Sequence, residues 1–313
     1  MTGRLMLLDT ASLYFRAFHG VPDTVRAPDG SPVNAVRGLL DMIAKLVADF
    51  SPTGVVACWD DAWRPEWRVA LIPSYKQHRV AREVAGGVDV EEVPELLTAQ
   101  IPLIRDVLSA FGIPIVGAAD HEADDVIGTL ASRAPGPVDV VTGDRDLFQL
   151  VDDRSQVRVI YTARGMSRLE LVTDEVIVSK YGITPGQYVD FAVLRGDASD
   201  GLPGVAGIGE KTAATLLAEH GDLAGIRAAA ADPGAALSAS VRARLAAGGD
   251  YLEVAPRVVE VVRDLDLGPS SDPDESGLGA LTSQQLSNID ELSARWGLGG
   301  SADRARRALD RPA

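Results

Sequence analysis

Nine carboxylates sit in short clusters that follow apolar runs or open helical stretches: Asp9, Asp60, Glu122 with Asp124 and Asp125, Asp144 with Asp146, and Asp197 with Asp200. Gathered together, so many anionic oxygens would repel one another unless cations sat among them. Hard divalent ions, Mg²⁺ or Mn²⁺, are the natural occupants of an all-oxygen site. The clusters therefore outline a metal centre.

Such a centre needs elements that bring distant residues together. Arg4-Leu5-Met6-Leu7-Leu8 ends at Asp9, Gly54 to Trp59 ends at Asp60, and Val138 to Gly143 ends at Asp144. As strands of one parallel sheet, these runs put their acids on a shared edge, and ligands of open α/β sheets bind at the carboxyl ends of strands. Up to about residue 165, apolar runs alternate with helical patterns, which argues for βαβ units. Val36 to Phe50 and Leu96 to Phe111 have apolar residues at helical spacing. Between them, residues 61 to 95 are aromatic and basic, then Gly- and acid-rich around Ala85-Gly86-Gly87, and read as a surface excursion. Glu122 to Ala131 reads as a helix whose first-turn acids would also suit the helix dipole.

From about Thr173 the character changes to short helices. Gln187 to Arg195 is amphipathic, and Glu210 to His220 is strongly helix-forming. Between them, Gly207-Ile208-Gly209-Glu210-Lys211-Thr212 sets a glycine turn directly before a helix N-terminus. Outward N–H groups and the helix dipole make that a phosphate cradle, although a purely structural turn between helices would also explain the glycines. Further on, Pro269 to Asp274 reads as a linker, Ser283 to Trp296 as a helix packed on the core, and Asp303 to Pro312 as an Arg-rich, partly disordered end.

The bulk composition permits this reading. The 313 residues are 46% apolar and 24% charged, as in an ordinary globular protein. A single cysteine, Cys58, excludes an internal disulfide framework and fits a reducing cytosol. No segment approaches the roughly 20 apolar residues of a membrane helix, so a cytoplasmic protein is expected, which the resemblance described below would place at the nucleoid. The net charge of −15 opposes nucleic-acid binding at long range. Two or three divalent ions would offset part of it, and Arg64, Arg68, Lys76, Arg79 and Arg82 form a local basic strip against the single acid Glu66. That strip could contact phosphates or be a solvated face.

In combination, Leu7-Leu8-Asp9, Phe15-Arg16-Ala17-Phe18-His19, Trp59-Asp60, Trp67-Arg68, Tyr75-Lys76-Gln77-His78-Arg79, Glu122-Ala123-Asp124-Asp125, Thr142-Gly143-Asp144-Arg145-Asp146-Leu147 and Gly196-Asp197 through Ala213 carry a resemblance. In order and over roughly residues 4 to 265, the chain resembles bacterial 5′-nucleases of the flap endonuclease family, which includes the N-terminal 5′–3′ exonuclease domain of DNA polymerase I. The resemblance implies an α/β fold: a PIN-like parallel twisted sheet flanked by helices (1–172) with a helical arch (about 61–95), an α-helical helix-three-turn-helix DNA-binding module (173–265), and a linker with C-terminal helices packing on the core (266–313). It implies a structure-specific DNA 5′-nuclease for replication and repair, cutting 5′ flaps and free 5′ ends with two or three Mg²⁺ or Mn²⁺ ions.

Carried over, Asp9, Asp60, Glu122, Asp124, Asp144 and Asp146 organise the metals, and Asp125, Asp197 and Asp200 add direct or water-mediated ligands. Lys76 and Arg79, with Asp125, fall in the catalytic set. Phe15, Arg16, Arg68, Lys76, Arg79, Gly207, Gly209, Lys211 and Thr212 contact DNA, and K⁺ is bound through the carbonyls of Leu202, Pro203, Val205 and Ile208. The expected partners are DNA with 5′ flaps, nicks or free 5′ ends, handled by a monomer alongside a DNA polymerase and ligase. The chain's end at Ala313 implies that no polymerase is fused to it. Three positions depart from the family pattern: Thr10 stands where Gly is usual, Phe15 where Tyr is common, and Gly201 where Asn is usual. Two other readings share parts of this pattern: a PIN-type ribonuclease, and a catalytically vestigial DNA-structure-binding protein.

Overall fold

The computed structural model describes residues 3–84, 89–268 and 277–311. Its first strand, β1 (Leu5–Asp9), is buried along its whole length. Continuous burial is what a helix-covered parallel strand requires. Met6 and Leu8 face one apolar layer, Leu5 and Leu7 the other. The chain continues through α1 (Thr10–Gly20), α2 (Asn34–Phe50), β2 (Gly54–Cys58), α3 (Glu66–Leu71), β3 (Val80–Arg82), β4 (Val90–Glu91), α4 (Glu95–Thr98), α5 (Ile101–Ala110), β5 (Ile115–Val116), α6 (Ala123–Arg133), β6 (Val138–Thr142), β7 (Val157–Tyr161) and β8 (Glu170–Val172). The main sheet has the order β5-β2-β1-β6-β7-β8 and is parallel except for β8. Strand order reverses between β1 and β6, which opens a crevice beyond their carboxyl ends.

The helices α7 (Asp174–Tyr181), α8 (Tyr188–Arg195), α9 (Glu210–His220), α10 (Leu223–Ala231), α11 (Ala239–Ala247) and α12 (Gly249–Val259) follow. They do not form a separate core: Phe191, Leu194, Leu217, Leu252 and Val258 join Leu7, Val140 and Val159 in one apolar cluster on one sheet face. The opposite face is covered by α1, α2, α5 and the last helices, α13 (Ser283–Trp296) and α14 (Gly299–Leu309). No helix among the described residues is long and apolar enough to cross a membrane.

Three expectations change. The predicted helix from Leu96 to Phe111 is broken at Gln100, where Pro102 restarts the chain as α5. The Gln100 side chain, 1% exposed, turns instead to the start of α2, accepting from Ala35 N (2.9 Å) and donating to Asn34 Oδ1 (2.9 Å). The Arg-rich stretch, expected to be partly disordered, is helical from Asp303 to Leu309: α14 buries Ala302, Ala305 and Leu309, and Arg304 pairs with Asp41 on α2. In place of a continuous helical arch, the described residues of 61–95 hold the six-residue α3, the 3-10 turn Gln77–Arg79 and the two-stranded β3–β4 ribbon before α4 begins. Pro65, Pro73 and Pro94 punctuate that segment and keep its helices short. Ala85-Gly86-Gly87 and the expected linker Pro269–Asp274 lie outside the described residues.

Candidate active site

The crevice beyond β1 and β6 is a cavity of about 1130 Å³. Five of the nine expected carboxylates line it: Asp9, Asp60, Glu122, Asp124 and Asp144. Asp9 ends β1 and caps α1, with Oδ1 accepting from Ser12 N (3.1 Å) and Oδ2 from Thr142 Oγ1 (2.6 Å). Thr142, last residue of β6, also accepts from Asp144 N (2.9 Å), so one hydroxyl fixes both acids. Asp60 follows β2 and accepts from Ala123 N (2.8 Å) at the start of α6, which aims Asp124 into the same space. Phe15, Arg16, Lys76 and Arg79 line the cavity with them.

The acids strain against one another. Burial, then the repulsion of Asp60 and Asp144, pushes Asp9 up to about 7 despite its bond to Thr142. Asp60 and Asp124 are also raised, mainly by burial. Behind this front row, Asp146 and Asp200 form a second group. Asp146 is raised by burial and by Asp144 and Asp200, and its buried Oδ1 has no hydrogen-bond partner. Asp200, raised to about 6 by burial against the pull of Lys76, pairs with Arg79 (3.1 Å). Asp197 is held low: burial opposes ionisation, but Ser199 and Arg195 outweigh it.

An orphaned buried carboxylate oxygen and several acids lifted by burial and, after it, by neighbouring carboxylates fit a cation-binding site. Among the described residues no three carboxylate, imidazole or thiol side chains close around one point. Ions held here would complete their shells with water and substrate oxygens, as Mg²⁺ commonly does.

Two expected residues have other roles. Asp125 is fully buried, with its oxygens taken by Arg68 (2.7 and 2.8 Å), Val262 N (2.9 Å) and Glu122 N (3.2 Å). It is a structural anchor at the start of α6, without a free oxygen for a metal. Arg68 does not face DNA. It is 2% exposed, paired with Asp125 and Glu122 (2.6 Å), and donates to Val258 O (3.0 Å) in α12. The basic strip is thus mostly turned inward: Arg64 binds Asp89, Tyr75 O and Pro73 O, and Lys76 pairs with Glu122, leaving Arg82 exposed and Arg79 half-buried. Glu122 is itself committed to Lys76, Arg68 and the Tyr75 hydroxyl (2.7 Å). Tyr75 and Thr142 had no assigned role in the sequence reading, although both stand inside its motifs.

The departures from the family pattern are accommodated. Gly201, at φ +69°, lies so close to Ser74 that a Cβ would come within 2.2 Å of the Ser74 carbonyl oxygen, and Ser74 Oγ donates to its carbonyl (2.8 Å). A residue with a side chain would push off the strand of chain carrying Lys76, whose N–H bonds Asp200 O (2.9 Å). Thr10 is buried and donates to Leu8 O (3.3 Å). Phe15 stacks on Tyr14 with ring centroids 5.3 Å apart.

The glycine turn lies on the helical side of the molecule. Gly207, Gly209 and Lys211 are exposed, Thr212 is half-buried, and Val205 and Ile208 anchor the turn in the core. Of the four carbonyls expected to hold K⁺, Leu202 O already accepts from Asp197 N (3.0 Å) and Val205 O from Ile208 N (2.9 Å). Arg244 of α11 reaches the turn, donating to Gly207 O (2.9 Å).

Comparison with known proteins agrees with this fold. Residues 4–182 match the family model for the 5′–3′ exonuclease N-terminal resolvase-like domain, and residues 183–276 that for the 5′–3′ exonuclease C-terminal SAM fold. A 5′–3′ exonuclease of Streptomyces coelicolor is 59% identical over 96% of this chain and 98% of its own length. The fold resembles T5 5′-exonuclease, solved with divalent zinc ions (TM-score 0.63, 18% identity, covering 98% of both chains). It also resembles the catalytic core of Rad2 in complex with DNA substrate (TM-score 0.58, 17% identity, 98% of this chain and 90% of that one).

Proposed function

The chain belongs to the 5′–3′ exonuclease family and is a hydrolytic 5′-nuclease of that family; we propose that it cuts DNA at 5′ flaps, nicks and free 5′ ends with Mg²⁺ or Mn²⁺ held in the crevice beyond β1 and β6. The observation that carries this reading is the convergence of Asp9, Asp60, Asp124 and Asp144, delivered by β1, β2, α6 and β6, on one cavity beside Lys76, Phe15 and Arg16. These four acids would hold the ions, with Asp146, Asp200 and Asp197 acting behind them through water. Bound divalent ions supply hydroxide at neutral pH and offset charge on the attacking and leaving oxygens at phosphorus.

The remaining work falls to the chain's own groups. Burial opposes a charge on Lys76, but Glu122 outweighs it and keeps the ammonium protonated. Lys76 is therefore a ready cation for the phosphoryl oxygens, a preorganised contact that needs no reorganisation during reaction. Phe15 offers a face for the terminal base, Arg16 and Arg79 meet the backbone, and Gly209, Lys211 and Thr212 grip duplex phosphates without reading sequence. The flap reading is preferred over a PIN-type ribonuclease because the family match extends through the helical module to residue 276. DNA in the cytoplasm is the inferred setting, where the nicks produced are the class of end that a polymerase and ligase process.

Cleavage of 5′-labelled and 3′-labelled flap duplexes, read on a gel, tests this. Metal-dependent cuts at or beside the junction are expected with Mg²⁺ and Mn²⁺ and none in EDTA. Tight binding without cleavage in every metal would leave a DNA-binding protein with a vestigial centre.

A further inference from the structure

The acids at the crevice divide by whether a cation of the chain already holds them. Glu122 is paired with Lys76 and Arg68, Asp125 with Arg68, Asp200 with Arg79 and Asp197 with Arg195. Asp9, Asp60, Asp124, Asp144 and Asp146 have no ion pair among the described residues. Lys76 and Arg79 line the cavity, where they can turn to a substrate phosphate, and Arg68 ties α3 to α6 and α12. Arg195 has neither task. Its side chain is 8% exposed, its one ion pair is with Asp197, and its buried Nε has no acceptor.

The backbone puts Arg195 there. It is the last residue of α8, and its guanidinium lies 5.6 Å from the centre of the Phe191 ring one turn earlier. Gly196 follows at φ +76°, where a Cβ would stand 2.7 Å from Gly204 N and 2.8 Å from Leu202 O, so the chain doubles back tightly and sets Asp197 beside the arginine. Asp197 Oδ2 accepts from Arg195 Nη2 (3.1 Å), and Oδ1 accepts from Ser199 N (2.9 Å) and the Ser199 hydroxyl. These donors leave Asp197 little more than a water contact to offer an ion. The same guanidinium also favours the ionised form of Asp146. A buried charge is poorly screened, so a fixed cation at this place opposes a second cation beside it.

We propose that Arg195 is a built-in counter-ion at the rear of the crevice: it takes up Asp197 and weakens the pull of the rear acids on a divalent ion, so that the front row fills first. The inference rests on the metal-centre reading above and makes Arg195 a positioning residue for the rear acids. It assigns a sequence of filling to a cluster that composition alone would treat as uniform.

The test is Mn²⁺ titration of the full chain without DNA at pH 7.5, with the free ion read by electron paramagnetic resonance. The wild type should show one tight and one weaker class of site. Arg195→Met, which removes the charge and keeps the length, should tighten the weaker class roughly 10-fold and bring the two together. Arg195→Lys keeps the charge and should titrate like the wild type. The pair Arg195→Met with Asp197→Asn removes both charges and leaves neither unpaired, so it should also titrate like the wild type. Were Asp197 a direct ligand, that pair would instead lose on the order of 10-fold or more in affinity. An arginine with a merely structural role would lower the melting temperature and leave the two classes apart. Arg195→Met with both classes unmoved overturns the proposal alone; if that variant does not fold by circular dichroism, the paired variant decides, wild-type titration supporting the proposal and lost affinity overturning it. A wild type that takes up no Mn²⁺ at millimolar concentration would sink the metal-centre reading with it.

Discussion

Arg68 shows how a residue type can be legible while its role is not. Its guanidinium joins α3 to Glu122 and Asp125 at the start of α6 and to Val258 O in α12, all out of water. Removing one partner of a buried ion pair leaves charge without compensation, at a cost of about 3–5 kcal/mol. Arg68→Ala should therefore lose that much stability in urea unfolding at neutral pH, and Arg68→Lys should recover part of it. A loss below about 1 kcal/mol, with flap affinity reduced instead, would return Arg68 to the DNA surface. Asp125→Ala belongs to the same case: it should weaken the fold first, and cleavage only as a consequence. In the sequence, Arg68 stood in a basic strip and Asp125 in an acidic cluster, and both readings followed from local composition. Their pairing spans 57 positions of chain and depends on how α3 docks against α6, which no local pattern encodes. The front-row acids were legible for the opposite reason. Asp9, Asp60 and Asp144 each end an apolar run, and parallel strands of common direction must bring such ends to one edge.

At the scale of elements, long periodic runs were read correctly and their breaks were not. The runs ending at Asp9, Asp60 and Asp144 became β1, β2 and β6, and Val36 to Phe50 lies within α2. Leu96 to Phe111 kept helical periodicity through a break, because Leu97, Leu103, Ile104, Val107 and Leu108 all face the same apolar layer on either side of it. What interrupts the helix is Gln100, whose amide satisfies the first turn of α2 from 65 residues away. Gln100→Ala should leave Ala35 N and Asn34 Oδ1 without that partner, costing about 1–3 kcal/mol. Urea unfolding should register the loss while flap cleavage by the folded protein stays near the wild-type rate. Undiminished stability would mean that the break is set by Pro102 alone. The Arg-rich end followed the same pattern of error. Its composition suggested disorder, yet Ala302, Ala305 and Leu309 repeat at helical spacing and Arg304 finds Asp41 on α2. A stripe of small residues is a weak signal by hydropathy and a good fit against a neighbouring helix.

Over the whole molecule, the clustered acids tie stability to pH and to metal. Asp9 and Asp200 titrate near 7 and 6 in the folded protein against 3.8 for a free aspartate, and Asp60, Asp124 and Asp146 are shifted in the same direction, chiefly by burial. Between pH 4 and 7 the folded chain therefore holds protons that the unfolded chain has released. Under linkage, stability falls with pH wherever the folded state binds more protons. The contribution of these acids is complete below the unfolded value and is lost as pH rises through 6 to 7. Asp197 runs the other way, since its lowered value protects the fold above pH 4 and fails in acid. In EDTA, Tm should thus drop between pH 5 and 7.5 by roughly 5 °C or more. Divalent ions compete with protons for the same oxygens, so millimolar Mg²⁺ or Mn²⁺ should restore much of the loss at pH 7.5 and little at pH 5. The net charge of −15 also grows more repulsive as pH rises, and an Asp9→Asn, Asp146→Asn variant separates the two effects. If the crevice is responsible, the variant should melt higher than the wild type in EDTA at pH 7.5, respond less to Mg²⁺ and fail to cut flaps. If the variant keeps the wild-type slope, or the wild type melts at one temperature across this range with and without Mg²⁺, the repulsion lies elsewhere and the crevice is not a preformed cation site.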